Sequence, residues 1–166
     1  MPVPETNQQT AIPTPNLYET DFYAWTQEQA LLLRQQQWSQ LDLFNLIEEI
    51  ESLGKQQRQE LRNRLMVLMG HLLKWEYQPQ RRSRSWLVTI RVQRLDVSEL
   101  LEENPSLKPY LEEALQKAYT KGVLLAVEET ELPKRIFPSE CPYSLAEILE
   151  DSFYPGEPND LVNELE

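Results

Sequence analysis

Leu61, Leu65, Leu68, Leu72 and Trp75 follow one another at intervals of four, three, four and three residues. On a strand these side chains would scatter over both faces. On an α-helix they form one apolar seam, the kind that packs lengthwise against an antiparallel neighbour. A helix across the middle of the chain is therefore the strongest constraint on the fold. It ends near Gln78, because Pro79 disfavours helical geometry in the residue before it.

Similar periodicity extends in both directions. A first helix is expected from Asp21 to Gln37, with Thr20 as its N-cap and Phe22, Trp25, Gln29 and Leu33 along one side. Asp42 is placed to cap "LFNLIEEIESLG", where Leu43, Leu46, Ile47, Ile50 and Leu53 make a single stripe. Gly54 either stops that helix or marks a kink in a continuous one. Arg84 or Ser85 opens a helix with Trp86, Ile90, Gln93, Val97, Leu100 and Leu101 on its face, ended by "ENP". Ser106 is expected to cap the next, lined by Leu107, Leu111, Leu115, Ala118, Gly122 and Leu125. Pro133, Pro138 and Pro142 interrupt the chain before a short helix from Ser144 to Asp151.

These elements predict an all-α, single-domain and mainly antiparallel bundle of about five main helices plus a short C-terminal one. Only four of the 166 residues are glycine, which agrees with helices over strands. Residues 1–16 carry four prolines and no periodicity and read as a disordered tail. Residues 155–166 are acidic, open with Pro-Gly and read as a second flexible tail. The bundle domain is thus expected over 17–154. No basic, apolar leader and no stretch of ~20 apolar residues is seen, and Cys141 is the one cysteine, so a cytoplasmic protein without a membrane span is expected.

Charge is distributed unevenly. Residues 55–94 hold ten basic and two acidic side chains, a net +8 inside a chain of −11. Arg58, Arg62, Arg81 and Arg82 belong to this basic surface. Internal pairing with acidic segments is favoured over nucleic-acid binding, because Trp75 and Trp86 fall on core seams and not on an exposed stacking platform.

Catalytic motifs are lacking. His71 lies about 80° from the centre of its helix's apolar stripe, a boundary position that suits a hydrogen-bonded packing residue. No second Glu-x-x-His and no zinc-spaced Cys/His pair accompanies it, so no metal or cofactor is expected. Cys141 has no clear base beside it. Glu48, Glu49, Glu51, His71, Lys74, Arg84 and Arg94 form the candidate polar cluster. Glu51 or Glu48 is expected to meet Arg94 or Arg84 at the bundle centre, fixing register more than adding stability.

The blocks "LYETDFYAW", "LIEEIESLGKQQRQEL", "HLLKWEYQPQRRSRSW", "TIRVQR" and "FPSECPYSLAEIL" resemble the family called domain of unknown function 29. The resemblance covers about Leu17 to Pro155. It implies an all-α fold and a bacterial, mainly cyanobacterial, cytoplasmic setting, and it implies no activity. The family pattern falls on Asp21, Tyr23, Trp25, Glu48, Glu49, Ile50, Leu53, His71, Lys74, Trp75, Pro79, Arg84, Trp86 and Arg94.

Three functions are compatible with these residues. The favoured one is a non-enzymatic module that binds a protein partner, which an uncovered apolar face would support. An anionic-ligand binder or enzyme would use Glu48, His71, Lys74 and Arg84. Nucleic-acid binding would use the basic 55–94 face.

Overall fold

The computed structural model of the protein describes residues 16–164. They form an all-α structure with α1 Leu17–Thr20, α2 Phe22–Arg34, α3 Leu43–Tyr77, α4 Arg84–Glu103, α5 Leu111–Thr130, α6 Leu145–Leu149 and α7 Asp160–Asn163. No strand occurs among the described residues. The chain divides into two compact units, residues 1–52 and 53–166. The tail expected over 1–16 lies, apart from Asn16, outside the described residues.

In the first unit, α1 and α2 meet through aromatic rings. The Trp25 ring centre lies 5.0 Å from that of Tyr18 and 5.5 Å from that of Phe22. The indole Nε1–H of Trp25 donates to Asp42 Oδ2 (3.1 Å), and the Asp42 N–H donates to Gln29 Oε1 (2.8 Å). Asp42 also caps α3, accepting the Asn45 N–H at 3.4 Å. The cap of α2 is Asp21 and not Thr20: Asp21 Oδ1 accepts the Ala24 N–H at 3.0 Å, while Thr20 closes α1. Helix α2 stops at Arg34, earlier than expected, and Gln36 turns the chain with a φ of 58°.

The two helices expected on either side of Gly54 are one. Helix α3 runs 35 residues without interruption, about 52 Å at 1.5 Å per residue. A glycine weakens a helix by only about 1 kcal/mol, which the surrounding Leu, Glu, Gln and Arg residues offset. The real end comes at Tyr77, followed by a 3-10 turn Pro79–Arg81.

In the second unit, α3, α4 and α5 run up, down and up. Leu61 and Leu65 share a core with Val97, Leu100 and Leu101 of α4, and Leu72 and Trp75 share one with Leu87 and Ile90. That order makes α3 and α4 antiparallel. Helix α5 returns beside α3 in the same direction, with Gly122 near Gly70 and the Thr130 carbonyl accepting from Gln78 Nε2 at 3.1 Å. All five seam residues from Leu61 to Trp75 are fully buried. Each contributes about 1.5–3 kcal/mol by leaving water.

Ser83 caps α4 by accepting the Trp86 N–H. Ser106 caps nothing: Pro105–Tyr110 is a 3-10 helix and α5 begins at Leu111. Pro109 has no N–H to give an α-helical ladder, which delays the start. Ser144 and Glu147 form a capping box on α6.

The segment expected to be a loose tail is docked as far as it is described. Pro155 is buried, and Leu161 and Val162 pack against the core. Gly156 turns the chain there with a φ of 83°, where a Cβ would meet the Arg82 guanidinium at 2.9 Å.

Candidate functional site

Burial sorts the sequence-predicted polar residues by role. His71 and Lys74 stand one helical turn apart on α3 and are 9% and 1% exposed. His71 Nδ1 lies 3.0 Å from the Val67 carbonyl, which can only accept, so this nitrogen carries the proton. Nε2 then faces the Lys74 ammonium at 3.4 Å as an acceptor. Lys74 Nζ forms an ion pair with Glu129 of α5 and sits 4.3 Å from the Trp86 ring centre. The ammonium is thus enclosed by a carboxylate, an imidazole and an indole. His71 and Lys74 are buried while Glu129 reaches the surface, and Lys74 has little surface of its own from which to reach a ligand.

Burial, and then the Lys74 charge, holds the His71 pKa below its ordinary 6.5. As pH falls from about 6.5, the unfolded chain takes a proton that the folded one resists. Stability therefore falls toward acid, by at most about 1.4 kcal/mol per pH unit from this group. The chain has one histidine. Urea titrations at stepped pH values between 7.5 and 5.5 should show this slope in the wild type and lose it in His71→Gln. Equal slopes would assign the effect to other groups.

Arg94, 2% exposed, finds no carboxylate where one was expected. Its guanidinium donates to the carbonyls of Ile148 (2.8 Å), Asp151 (3.2 Å) and Phe153 (2.7 Å) and lies 5.3 Å from the Tyr154 ring centre. Arg82 does the same with the carbonyls of Trp75 (2.7 Å), Glu157 (2.6 Å) and Pro155 (3.3 Å). Arg91 reaches Tyr154 Oη (3.1 Å) and the Val162 carbonyl (3.2 Å). These three arginines fasten the C-terminal segment to α3 and α4. Arg94, expected to meet Glu51 or Glu48, holds these carbonyls because an arginine's planar fork serves several acceptors at once.

The remaining candidates are more exposed. Arg84 meets Glu164 at 3.3 Å at the surface, and Arg81 is exposed. Glu48, Glu49 and Glu51 belong to the first unit, where Glu49 accepts the Tyr18 hydroxyl at 2.7 Å. Cys141 is half-buried and donates to the Tyr143 carbonyl at 3.2 Å. Burial raises its pKa, which disfavours the reactive thiolate.

The feature that sequence reading placed differently is the start of α3. Leu43, Phe44, Ile47, Ile50 and Leu53 are each more than half exposed. Their spacing puts them in one broad apolar band on the helix. The periodicity was legible, but it reads the same whether the band meets its own chain or solvent.

The model of the family described as Domain of unknown function DUF29 matches residues 17–154. The chain belongs to this family. No curated protein and no solved structure matches it. The DUF29 match takes in the exposed band of α3, the His71–Lys74–Glu129 group and Arg94 with its three carbonyls. It ends one residue before Pro155, whose carbonyl Arg82 holds. No helix of the described residues is long and apolar enough to cross a membrane.

Proposed function

We infer that this DUF29 protein is a non-enzymatic interaction module whose α3 face from Leu43 to Leu53 docks a helix of a protein partner. The observation that carries the reading is that band of five large apolar side chains, exposed along one helix. Scattered exposed apolar residues are ordinary, whereas a contiguous band marks a docking surface. Its spacing suits the apolar stripe of a second helix. Gly54 follows on the same helix, and a Cβ there would meet nothing within 4 Å of its own chain. A glycine that its own fold does not require, beside an apolar band, leaves room for a partner's backbone to come close.

A ligand site or enzyme built on His71 and Lys74 has less support, because both side chains are buried and the Lys74 ammonium is already paired with Glu129. The basic 55–94 face is less available to nucleic acid than its charge implies, because Arg64, Lys74, Arg82 and Arg94 already hold acceptors of the chain. The reading includes a bacterial cytoplasmic setting, which rests on the lone cysteine and the family resemblance.

The test is a photo-crosslinking amino acid at Ile47 of the full chain, irradiated in its native cells. One discrete protein adduct is expected, either a different protein or a second copy. Adding Ile50→Asp should remove it while circular dichroism stays unchanged. Purified, the partner should bind the Ile47→Asp, Ile50→Asp variant at least tenfold more weakly, since each isoleucine contributes about 1.5–3 kcal/mol when buried. No discrete adduct, or one that survives Ile50→Asp, would overturn the reading.

A further inference from the structure

Several cations of the second unit hold acceptors of their own chain, whereas others gather beside one furrow. Between α3 and α5 lies a furrow of about 310 Å³ lined by Gln59, Arg62, Asn63, Lys117, Ala118 and Lys121. The close approach of α3 and α5 at Gly70 and Gly122, about two turns further along α3 and within about one turn on α5, holds these side chains of two helices beside one another. Ala118, 1% exposed, lies at its base.

The polar atoms here are nearly all donors. Gln59 Oε1 accepts from Arg62, and Asn63 Oδ1 accepts from Gln59 Nε2 at 2.8 Å. The two amide acceptors are thus used within the furrow, leaving the Asn63 NH2 group, spare guanidinium N–H groups and ammonium groups. Arg62 spends its other contact on the neutral Tyr110 hydroxyl (2.6 Å), and the Arg58 guanidinium lies 4.8 Å from the same ring's centre. Lys117 pairs with Glu113. Among the described residues no ion pair joins Arg58, Arg62 or Lys121 to a carboxylate. In a chain of net charge −11 that concentration of uncompensated positive charge is unusual. The Glu113 carboxyl responds to it: its pKa is lowered, first by the Lys117 hydrogen bond and then by the charges of Lys117, Arg58 and Arg62.

The geometry points to an anion site in this furrow, formed by Arg62, Asn63, Lys117 and Lys121 with Arg58 at its rim, that takes a condensed phosphate chain. Its volume is at the lower end of small-molecule sites, about 300–1,000 Å³. Several separate cations suit several linked phosphates better than one. No aromatic face lines the furrow, so charge and not a ring is what it recognises. The site is independent of the α3 band, and either can fail without the other.

Calorimetric titration of the full chain with sodium tripolyphosphate at low salt tests this. One site of micromolar affinity is expected, weakening steeply as salt is raised. Lys121→Ala, at an exposed position of α5, should weaken binding about tenfold, and Arg62→Ala at least as much. Arg81→Ala, an exposed cation elsewhere, should leave it unchanged. Equal binding of ATP would identify a nucleotide's phosphate tail as the source, and binding of tripolyphosphate alone would identify an inorganic chain. Absence of binding at millimolar concentration, or equal loss in Lys121→Ala and Arg81→Ala, would overturn the site.

Discussion

Gly122→Val should destabilise the protein by about 3 kcal/mol or more and lower its melting temperature by roughly 10 °C. A Cβ at Gly122 would lie 3.0 Å from the Met69 Cβ, 3.1 Å from the Met66 carbonyl oxygen and 3.3 Å from the Gly70 nitrogen. Two of those three atoms are backbone, so relief requires α3 and α5 to part, and the valine adds two methyl groups beyond the Cβ. Gly122→Ala should cost less, because alanine regains up to about 1 kcal/mol of helix propensity. Gly54→Ala provides the contrast. It lies within α3 in open space and should stabilise by about 0.5–1 kcal/mol. Thermal and urea unfolding of the three variants check the prediction. A Gly122→Val protein as stable as wild type would mean that the two helices do not meet there.

Arg94→Met should cost roughly 3 kcal/mol and free the segment it holds. Methionine fills much of the same space but gives no hydrogen bond to the carbonyls of Ile148, Asp151 and Phe153. Hydrogen bonds from a charged donor contribute about 1.5–3 kcal/mol each, and a buried acceptor left alone costs a similar amount. Partial recovery comes from removing a desolvated charge. Limited proteolysis should then cut between 149 and 162, where the wild type resists. Arg94→Lys should not rescue, because one ammonium cannot span three carbonyls as the planar fork does. If Arg94→Met proves equally stable or more stable, with no new cleavage, the arginine is not what fastens this segment.

The helices were largely legible because helical periodicity is local. The seam from Leu61 to Trp75 appears as expected and fully buried. Asp42, Ser83 and Ser144 act as caps for the local reason that a short side-chain oxygen reaches an N–H two or three residues ahead. Errors of one position, such as Thr20 for Asp21, arise where two neighbouring residues can both cap. Ser106 failed because Pro109 lies too close for an α-helical turn to form.

The candidate site was less legible. Lys74 was singled out, but its partner Glu129 lies 55 residues away on α5, and Trp86 meets the ammonium from α4. In the sequence Arg82 reads as surface and Arg94 as half of an ion pair, and Arg91 carries no sign of its role. Their acceptors are backbone carbonyls, which every residue has and which therefore leave no mark in a sequence. The furrow between α3 and α5 depends on which rows of two helices become neighbours, and Arg62 and Lys121 carry no local sign of that.

The sequence by itself determined that this is a helical protein and where most of its turns of helix begin and end. Those properties depend on residues within a few positions of one another. Only the tertiary structure decided what each helix face meets. The apolar seam of α3 from Leu61 onward is enclosed by α4 and α5, while the equally apolar band from Leu43 to Leu53 is left to solvent. Both have the same helical signature, and the difference lies in distant segments that pack against one and leave the other exposed.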